Sequence, residues 1–514
     1  MSDHPMTTSK SKRSILNQGC NRRDALKLFG ITLASGLSTL VLSRIKKSRN
    51  DGSDGSLFRH TSSYASNQEI SNQSHSNRYD RSPDKRPNII FILGDNHNYR
   101  TMGCAGHPFI HTPGMDQIAQ EGILFENTFS PTPLCSPSRA SFLTGAYAHK
   151  HGVKNNHTPW TGQMTTFLEY LNLNGYATAF IGKWHMPGEG LPEMPFLDRF
   201  ISYTYREGQG AYFNCPMIVD GKEVPSRKAY ITEEITDYAI EFIQENSAHD
   251  NAERPPFCLY LAHRPGHPPF QAPDEISGMY DEVNVEEVLP DLVDPWWYGK
   301  ANRNVFQGVM MGSYYNQYRK YCETLSAMDR DILRILNLVE QEGLRENTVI
   351  IYMGDNGMQW GTHDCHGIRE PYEDSIRLPF IIRAPWLISD PGTKRAQMAL
   401  NIDIAPTLLD MAGIPIPRDM DGESLVPILT NPNPQGRDSF LLEFWRYFPE
   451  NTPSYTGIRT ERYKYVKFER GREPWLFDIQ EDLKEDTNLF DSEIGKQILP
   501  ELKSALEAQY LLSL

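Results

Sequence analysis

Two Gly-Asp-Asn tripeptides are the first residues of this chain whose types and positions suggest shared chemistry. Asp95 and Asn96 follow the apolar run IIFILG, and Asp355 and Asn356 follow VIIYMG. In an open α/β sheet, ligands gather at the carboxyl ends of the strands. The two ends would present four oxygen ligands, two of them charged, which suit a hard divalent cation better than zinc. Ca²⁺ and Mg²⁺ are both cations of this kind.

The same tripeptide is also ordinary turn chemistry after a strand. For either copy alone the turn is the better interpretation. Two copies on strands of matching pattern favour the metal site.

A cysteine with an arginine one turn later forms the second candidate site. Cys135 opens the run CSPSRASFLTG, in which Arg139 follows four residues on. The unpaired N–H groups at a helix start favour an anion, and Arg139 adds a cation. The segment therefore suits a tetrahedral oxyanion. A lone cysteine is also commonly a small buried hydrophobe, and the residues leave open whether this is a cysteine phosphatase or another chemistry.

Apolar runs that alternate with helical patterns predict the elements that position these residues. Tyr321, Leu325, Met328, Ile332, Leu336 and Val339 recur at spacings of three and four, as one face of a long helix does. Strands that alternate with helices indicate a parallel sheet covered on both faces. The predicted strands are Asn88–Leu93, Ala177–Ile181, Phe257–Leu261, Thr348–Met353 and Pro379–Ile382.

The pattern changes after about residue 430, to short strands at Leu441–Phe444, Tyr463–Phe468 and Trp475–Asp478 and a final helix from about Ile498. The predicted fold class is α/β, with a large mixed, mainly parallel sheet sandwiched by helices and a smaller antiparallel C-terminal subdomain. We expect a catalytic domain over 86–430 and the C-terminal subdomain over 431–514.

The first 85 residues are typical of targeting and linker sequence. Arg22 and Arg23 precede a charge-free, weakly apolar stretch, which predicts a twin-arginine export signal or a retained membrane anchor over 1–50. A basic, mildly amphipathic tail is the alternative. Residues 51–85 are rich in serine and predict a disordered linker. We expect the twin-arginine machinery as a partner and an exported location, periplasmic or extracellular.

Composition excludes several other classes of protein. The chain has 514 residues, with 51 Lys+Arg against 65 Asp+Glu and a net charge of −14, which argues against nucleic acid as a partner. Seven cysteines are too few for a disulfide scaffold, and their odd number leaves at least one thiol unpaired.

Taken together, the motifs resemble those of the sulfatase family over about residues 86–489. Cys135-x-Pro-Ser-Arg139 with Leu143-Thr-Gly145 is similar to the signature in which the cysteine is converted to formylglycine. Similar family segments, in the family's order, are Arg86–Asp95, Gly182-Lys183-Trp184-His185, Gly266-His267-Pro-Pro269-Phe270, Asp355-Asn356-Gly357 with Gly361-x-His363, Asp403-x-x-Pro406-Thr407 and Asp421-Gly-x-Ser424-Leu425.

The resemblance implies a hydrolase that uses a formylglycine made from Cys135 by a formylglycine-generating enzyme. It implies that one divalent cation lowers the pKa of an aldehyde-hydrate hydroxyl, which then attacks sulfur. Cys135 then belongs to the metal site as well as to the catalytic residues. The implied metal ligands are Asp95, Asn96, the modified Cys135, Asp355 and Asn356.

The resemblance also implies roles for four charged or titratable side chains. Arg139 and Lys183 would stabilise charge on the sulfuryl oxygens. His185 would be the base that expels sulfate, and His267 would donate a proton to the leaving alcohol.

Two positions depart from the family pattern. The family more often has Asp where Asn96 stands, and many members have a lysine where this chain has Ile368. Arg369 and His366 are the neighbouring residues that could supply the missing positive charge.

Gly208-Gln209-Gly210-x-Tyr212 is similar to a stretch of carbohydrate sulfatases, including those that act on 6-sulfated N-acetylglucosamine. The expected substrate is a sulfated glycan or a small sulfate ester. Two alternatives are a phosphodiesterase or phosphonate monoester hydrolase of the same superfamily, and a catalytically silent glycan-binding relative.

Overall fold

A computed structural model describes the protein over residues 86–186, 194–204, 208–247, 254–295, 313–431, 434–448 and 450–514. The export signal and linker predicted for residues 1–85 lie outside these ranges. No helix within the ranges is long and apolar enough to cross a membrane.

All five strands predicted for the large sheet form, to within one or two residues at their ends. The strands of the described ranges, in chain order, are β1 Asn88–Gly94, β2 Ile123–Phe129, β3 Ala177–Gly182, β4 Arg199–Tyr203, β5 Met217–Val219, β6 Lys222–Val224, β7 Phe257–Ala262, β8 Thr348–Gly354, β9 Gln359–Trp360, β10 His366–Gly367, β11 Phe380–Arg383, β12 Thr393–Leu400, β13 Ser439–Phe444, β14 Tyr455–Thr460, β15 Tyr463–Phe468 and β16 Trp475–Asp478.

Ten of these strands form one mixed sheet in the order β12-β2-β11-β8-β1-β7-β3-β4-β5-β6. The centre, from β8 to β4, is parallel throughout. β11 runs antiparallel to both of its neighbours, β2 and β8. The mixed, mainly parallel sheet of the prediction is confirmed. The direction of β11 could not be read from its apolar run, since such a run carries no information on orientation.

Helices cover both faces of the large sheet. The α-helices of the described ranges are α1 Pro113–Gln120, α2 Cys135–Thr144, α3 Ala148–His151, α4 Phe167–Leu173, α5 Ile231–Asn246, α6 Val285–Val288, α7 Tyr314–Gln341, α8 Glu373–Ile376, α9 Ile404–Met411, α10 Val426–Thr430 and α11 Glu493–Leu512. Ile90 and Ile92 pack in one apolar cluster with residues of α5 and α7, whereas Ile89 and Phe91 pack in a second cluster with residues of α2, α4 and α9.

The C-terminal strands form a separate antiparallel sheet in the order β13-β14-β15-β16, which confirms the smaller antiparallel sheet of the predicted fold class. Leu502 of α11 packs on Ile458 and Leu476 of this sheet. α11 begins at Glu493, five residues before the predicted start near Ile498. Its start is fixed by Ser492, whose side chain accepts a hydrogen bond from the Gly495 N–H at 2.9 Å.

Candidate active site

The two Gly-Asp-Asn ends lie side by side. β1 and β8 are parallel neighbours, and their last residues, Gly94 and Gly354, are paired in register. Asp95 and Asp355 therefore leave the same edge of the sheet at the same level, and both are fully buried. The Asn96 N–H donates to Oδ1 of Asp355 at 3.0 Å, which ties the two ends together.

Cys135, the first residue of α2, completes this group. Its Sγ lies 3.8 Å from Oδ1 of Asp95 and 3.8 Å from Oδ1 of Asn96. The ligand atoms of Asp95, Cys135 and Asp355 all lie within 4.8 Å of one another. Burial, followed by the nearby Asp355 carboxylate, raises the pKa of the Cys135 thiol.

The donor set of these residues fits a hard divalent cation. The Asn356 side-chain N–H₂ donates to Oδ1 of Asn96, while Oδ1 of Asn356 is buried and has no hydrogen-bond partner among the described residues. A buried carbonyl oxygen without a partner is costly unless a ligand satisfies it. Together with the Asp95 and Asp355 carboxylates, it gives the oxygen-rich surroundings that Ca²⁺ and Mg²⁺ prefer.

Two buried, positively charged side chains, Arg139 and Lys183, balance the charge of the two carboxylates. Nε and one terminal nitrogen of Arg139 donate to Oδ2 of Asp355 at 3.0 and 2.8 Å, and its other terminal nitrogen donates to the Lys183 carbonyl at 2.8 Å. Nζ of Lys183 forms an ion pair with Asp95, and both side chains are fully buried. Burial and the charge of Asp95 raise the pKa of Asp355 even though both cations oppose the shift. The four side chains have no net charge when all are ionised.

His185 and His267 follow the ends of β3 and β7, next to the same group. His185 has a φ of +49°, a left-handed conformation that is uncommon outside glycine. Its carbonyl accepts a hydrogen bond from Ser136 at 2.6 Å, and its Nδ1 is buried without a partner in the described ranges. Burial, followed by the charge of Lys183, holds the pKa of both histidines well below 6.5.

The two candidates for the missing family lysine have different surroundings. Ile368 itself is buried in an apolar cluster. His366 lies 3.1 Å from the Tyr314 hydroxyl, and burial lowers its pKa to about 3, so it carries no charge at neutral pH. Arg369 has a φ of +95° and forms a 2.9 Å ion pair with Glu450. Of the two, only Arg369 can supply positive charge.

His363, the histidine of the loop after β8, lies outside the group of buried charges. Its Nε2 hydrogen-bonds the Lys484 carbonyl at 2.7 Å, and its ring stacks on Tyr372.

Three residues of the site were not predicted from the sequence. Oδ1 of Asn156 accepts the N–H of Ser136 at 3.1 Å, directly beside Cys135. Asn401 donates to the hydroxyl of Ser138 at 2.8 Å. Arg264 donates to the carbonyls of Gln209 and Pro268, and its place three residues before His267 is the one hint the sequence offered.

Buried paired carboxylates, a cysteine at a helix N-terminus and two positively charged side chains lie together at one sheet edge, a combination suited to the hydrolysis of an anionic ester. Residues 87–414 match the sulfatase family, and residues 361–510 match the C-terminal region of N-sulphoglucosamine sulphohydrolase. The chain belongs to the sulfatase family and is a sulfuric ester hydrolase.

Carbohydrate sulfatases are among its relatives. An N-acetylglucosamine-6-O-sulfatase of Bacteroides thetaiotaomicron is 31% identical over 490 residues, covering 82% of this chain and 86% of that protein. An ulvan-active sulfatase of Formosa agariphila is 28% identical, and the match covers 82% of this chain and 80% of that protein. A relative whose structure is solved in complex with its substrate, D-glucosamine-2-N,6-O-disulfate, is 30% identical. The two structures superpose with a TM-score of 0.70, and the match covers 84% of this chain and 98% of that chain.

Phosphonate monoester hydrolases share the fold. The structure of the enzyme of Agrobacterium radiobacter matches this one with a TM-score of 0.65 at 22% identity, and the match covers 84% of this chain and 96% of that chain.

Proposed function

We propose that this sulfatase removes a sulfate ester from a glycan, with Cys135 converted to formylglycine and one divalent cation bound beside it. The observation that carries the proposal is the juxtaposition of Asp95, Cys135 and Asp355 within 4.8 Å, next to two buried cations. Such a group can hold a cation and a sulfuryl anion at once, because it offers buried charge of both signs.

The cation would be held by Asp95, Asn96, Asp355 and Asn356, beside position 135. We favour Ca²⁺, with Mg²⁺ as the alternative, since these ligands are all oxygen donors. Arg139 and Lys183 hold Asp355 and Asp95 in place through the contacts described above, and they add positive charge where sulfuryl oxygens would bind.

A hydrated formylglycine at position 135 supplies a hydroxyl nucleophile for sulfur and a second hydroxyl whose deprotonation releases sulfate. Two histidines of the chain are placed for the proton transfers. His185 offers its buried Nδ1, which has no partner among the described residues, as a proton acceptor. His267 is the candidate contact to the bridging oxygen and the candidate proton donor to the leaving alcohol.

Three of the findings support a glycan as substrate. Two relatives that match most of this chain are named as an N-acetylglucosamine-6-O-sulfatase and an ulvan-active sulfatase. The relative of known structure was solved with a disulfated glucosamine bound. Gly208, Gln209 and Gly210, which carry the resemblance to carbohydrate sulfatases, place a side chain directly on His267. We also propose export through the signal over 1–50 and modification of Cys135 by a formylglycine-generating enzyme.

The test is hydrolysis by purified protein from its own host, supplied with Ca²⁺. We expect turnover of N-acetylglucosamine 6-sulfate and of 4-nitrophenyl sulfate, loss of both after EDTA treatment, and loss of both in Cys135→Ala. The ratio of kcat/KM for 4-nitrophenyl sulfate and 4-nitrophenyl phosphate, which share a leaving group, separates a sulfatase from a phosphatase. A ratio that favours phosphate overturns the proposal, as does full activity of Cys135→Ala.

A further inference from the structure

A set of aromatic and positively charged side chains lies beside Cys135, outside the group of buried charges. The turn before Trp160 reaches it first, because the Asn156 side chain accepts the N–H of Ser136. The ring of the next residue, His157, meets the Tyr447 ring edge-on, with the ring centroids 5.2 Å apart. The segment after β13 therefore adjoins the start of α2. We call this set the rim, and it consists of Lys154, Arg369 and residues 445–448.

Arg369 ties the rim to the site. Its Nε donates to the Tyr447 hydroxyl at 3.2 Å, and a terminal nitrogen pairs with Glu450 at 2.9 Å. The Tyr455 hydroxyl donates to the Arg369 carbonyl at 2.9 Å, which holds the backbone in its left-handed conformation, with φ at +95°. Arg369 and Tyr447 both lie within range of electrostatic interaction with Cys135. Tyr447 is thus fixed close to the reacting residue by buried and half-buried contacts.

The rim exposes aromatic surface to solvent. Phe448 is 90% exposed, more than any other large apolar side chain of the described ranges. Trp445 and Tyr447 next to it are half-buried. Aromatic side chains grouped on the surface in this way mark a binding site, because water contact with their apolar area is unfavourable. The C–H groups on one face of a sugar ring offer a matching apolar surface, which an aromatic ring can cover.

The rim also carries positive charge that no carboxylate balances. The Lys154 ammonium lies 5.1 Å from the centroid of the Trp445 ring, a cation–π contact that holds it in place. Arg446 is exposed, and its Nε donates to the Glu450 carbonyl at 3.4 Å. Neither side chain forms an ion pair with a carboxylate of the described residues. Local positive charge on a chain with a net charge of −14 favours an anionic ligand.

We propose that the rim is a subsite for the sugar residue next to the one whose sulfate is cleaved, so that the substrate is an anionic oligosaccharide or polysaccharide. Tyr447 and Phe448 pack on the apolar face of this second sugar, and Lys154 and Arg446 pair with its sulfate or carboxylate groups. A small sulfate ester fills the site but leaves the rim uncovered. Binding energy from the rim is therefore available only to longer substrates. This inference rests on the proposed function.

The test compares N-acetylglucosamine 6-sulfate with two tetrasaccharides, from keratan sulfate and from heparan sulfate, that each end in a 6-sulfated glucosamine residue. We expect kcat/KM for the better tetrasaccharide to exceed that for the monosaccharide by at least about tenfold, mainly through a lower KM. In Phe448→Ala this ratio should fall by about tenfold.

Phe448→Ala is suited to this comparison because the side chain is almost fully exposed and its loss should not disturb folding, which the melting temperature checks. Leu173→Ala is the matched control. It removes an apolar side chain of α4 that is 72% exposed, and it should keep the ratio of the unsubstituted protein.

Lys154→Met provides a second readout through the dependence on salt. KM for the tetrasaccharide should rise with NaCl in the unsubstituted protein, because salt screens contacts between charges, and it should rise less in Lys154→Met. Lys150→Met, whose charge is already paired with Asp421, should keep the full salt dependence. Tetrasaccharides hydrolysed no better than the monosaccharide, or an unchanged ratio in Phe448→Ala, would overturn the proposal. If none of these sulfate esters is hydrolysed, the proposed function fails instead.

Discussion

Lys183→Met removes one buried charge from a group that is neutral as a whole. Asp95 and Asp355 are fully buried and are paired with Lys183 and Arg139. Loss of the ammonium leaves the Asp95 carboxylate without its ion pair in a buried environment. Breaking a buried pair in this way costs about 3–5 kcal/mol of unfolding free energy. Two unit charges about 4 Å apart interact by about 4 kcal/mol at an effective dielectric constant of 20, which agrees with that range.

The same substitution should strengthen the response to Ca²⁺. In the unsubstituted protein the cation shares Asp95 with Lys183, whereas in Lys183→Met it alone would neutralise that carboxylate. We expect the stabilisation by Ca²⁺ to exceed that of the unsubstituted protein by at least about 1.4 kcal/mol, which corresponds to tenfold tighter binding. Sulfate ester hydrolysis should be lost even with Ca²⁺ bound, since the variant lacks a cation for the sulfuryl group.

The assay is thermal and denaturant unfolding of both proteins in EDTA and in Ca²⁺. Lys150→Met is the matched control, because Lys150 also pairs with an aspartate, Asp421, at 2.7 Å but is 24% exposed. That pair should contribute at most about 1 kcal/mol, and its loss should leave the Ca²⁺ response unchanged. If Ca²⁺ stabilises Lys183→Met and the unsubstituted protein equally, Asp95 is not part of a cation site.

Further predictions concern the metal ligands and the C-terminal helix. Asn356→Ala should weaken Ca²⁺ binding by about tenfold or more in calorimetry, and unchanged affinity would remove Asn356 from the ligand set. Burial acts to lower the pKa of His149, but hydrogen bonds to Glu443 and to the Ser513 carbonyl raise it above 6.5. The contribution of protonated His149 to the stability of the folded protein is therefore fully present below pH 6.5, and it is lost as the pH rises through the raised pKa. The difference in melting temperature between the unsubstituted protein and His149→Gln should be larger at pH 6 than at pH 9, and a pH-independent difference would contradict this.

In the large sheet, strands with long continuous apolar runs were predictable from the sequence, and strands interrupted by polar residues were not. β1 and β8 are buried on both faces, so their composition alone marks them. β2 contains Glu126 and Asn127, and β12 contains Lys394 and Arg395, which interrupt the apolar pattern. These two strands form because they pair with each other at the end of the sheet, a contact between segments more than 250 residues apart.

The residues of the candidate site also fall into those that sequence motifs predicted and those that they did not. Asp95, Cys135 and Asp355 stand in motifs whose spacing places each at the end of a strand or the start of a helix, and the structure brings them together. The contact between Gln209 and His267 joins residues 58 positions apart in sequence. It depends on the order of β7, β3 and β4 in the sheet and on two glycines with positive φ, and neither can be read from local pattern.

The chemical state of Cys135 tests the proposed mechanism most directly. Protein from the native host would be treated with an aldehyde-specific hydrazide and digested, and the peptide that contains residue 135 would be quantified by mass spectrometry beside the rate of sulfate release. We predict that the labelled fraction rises and falls in proportion to activity across preparations. Active protein in which residue 135 remains an unlabelled thiol would contradict the formylglycine mechanism.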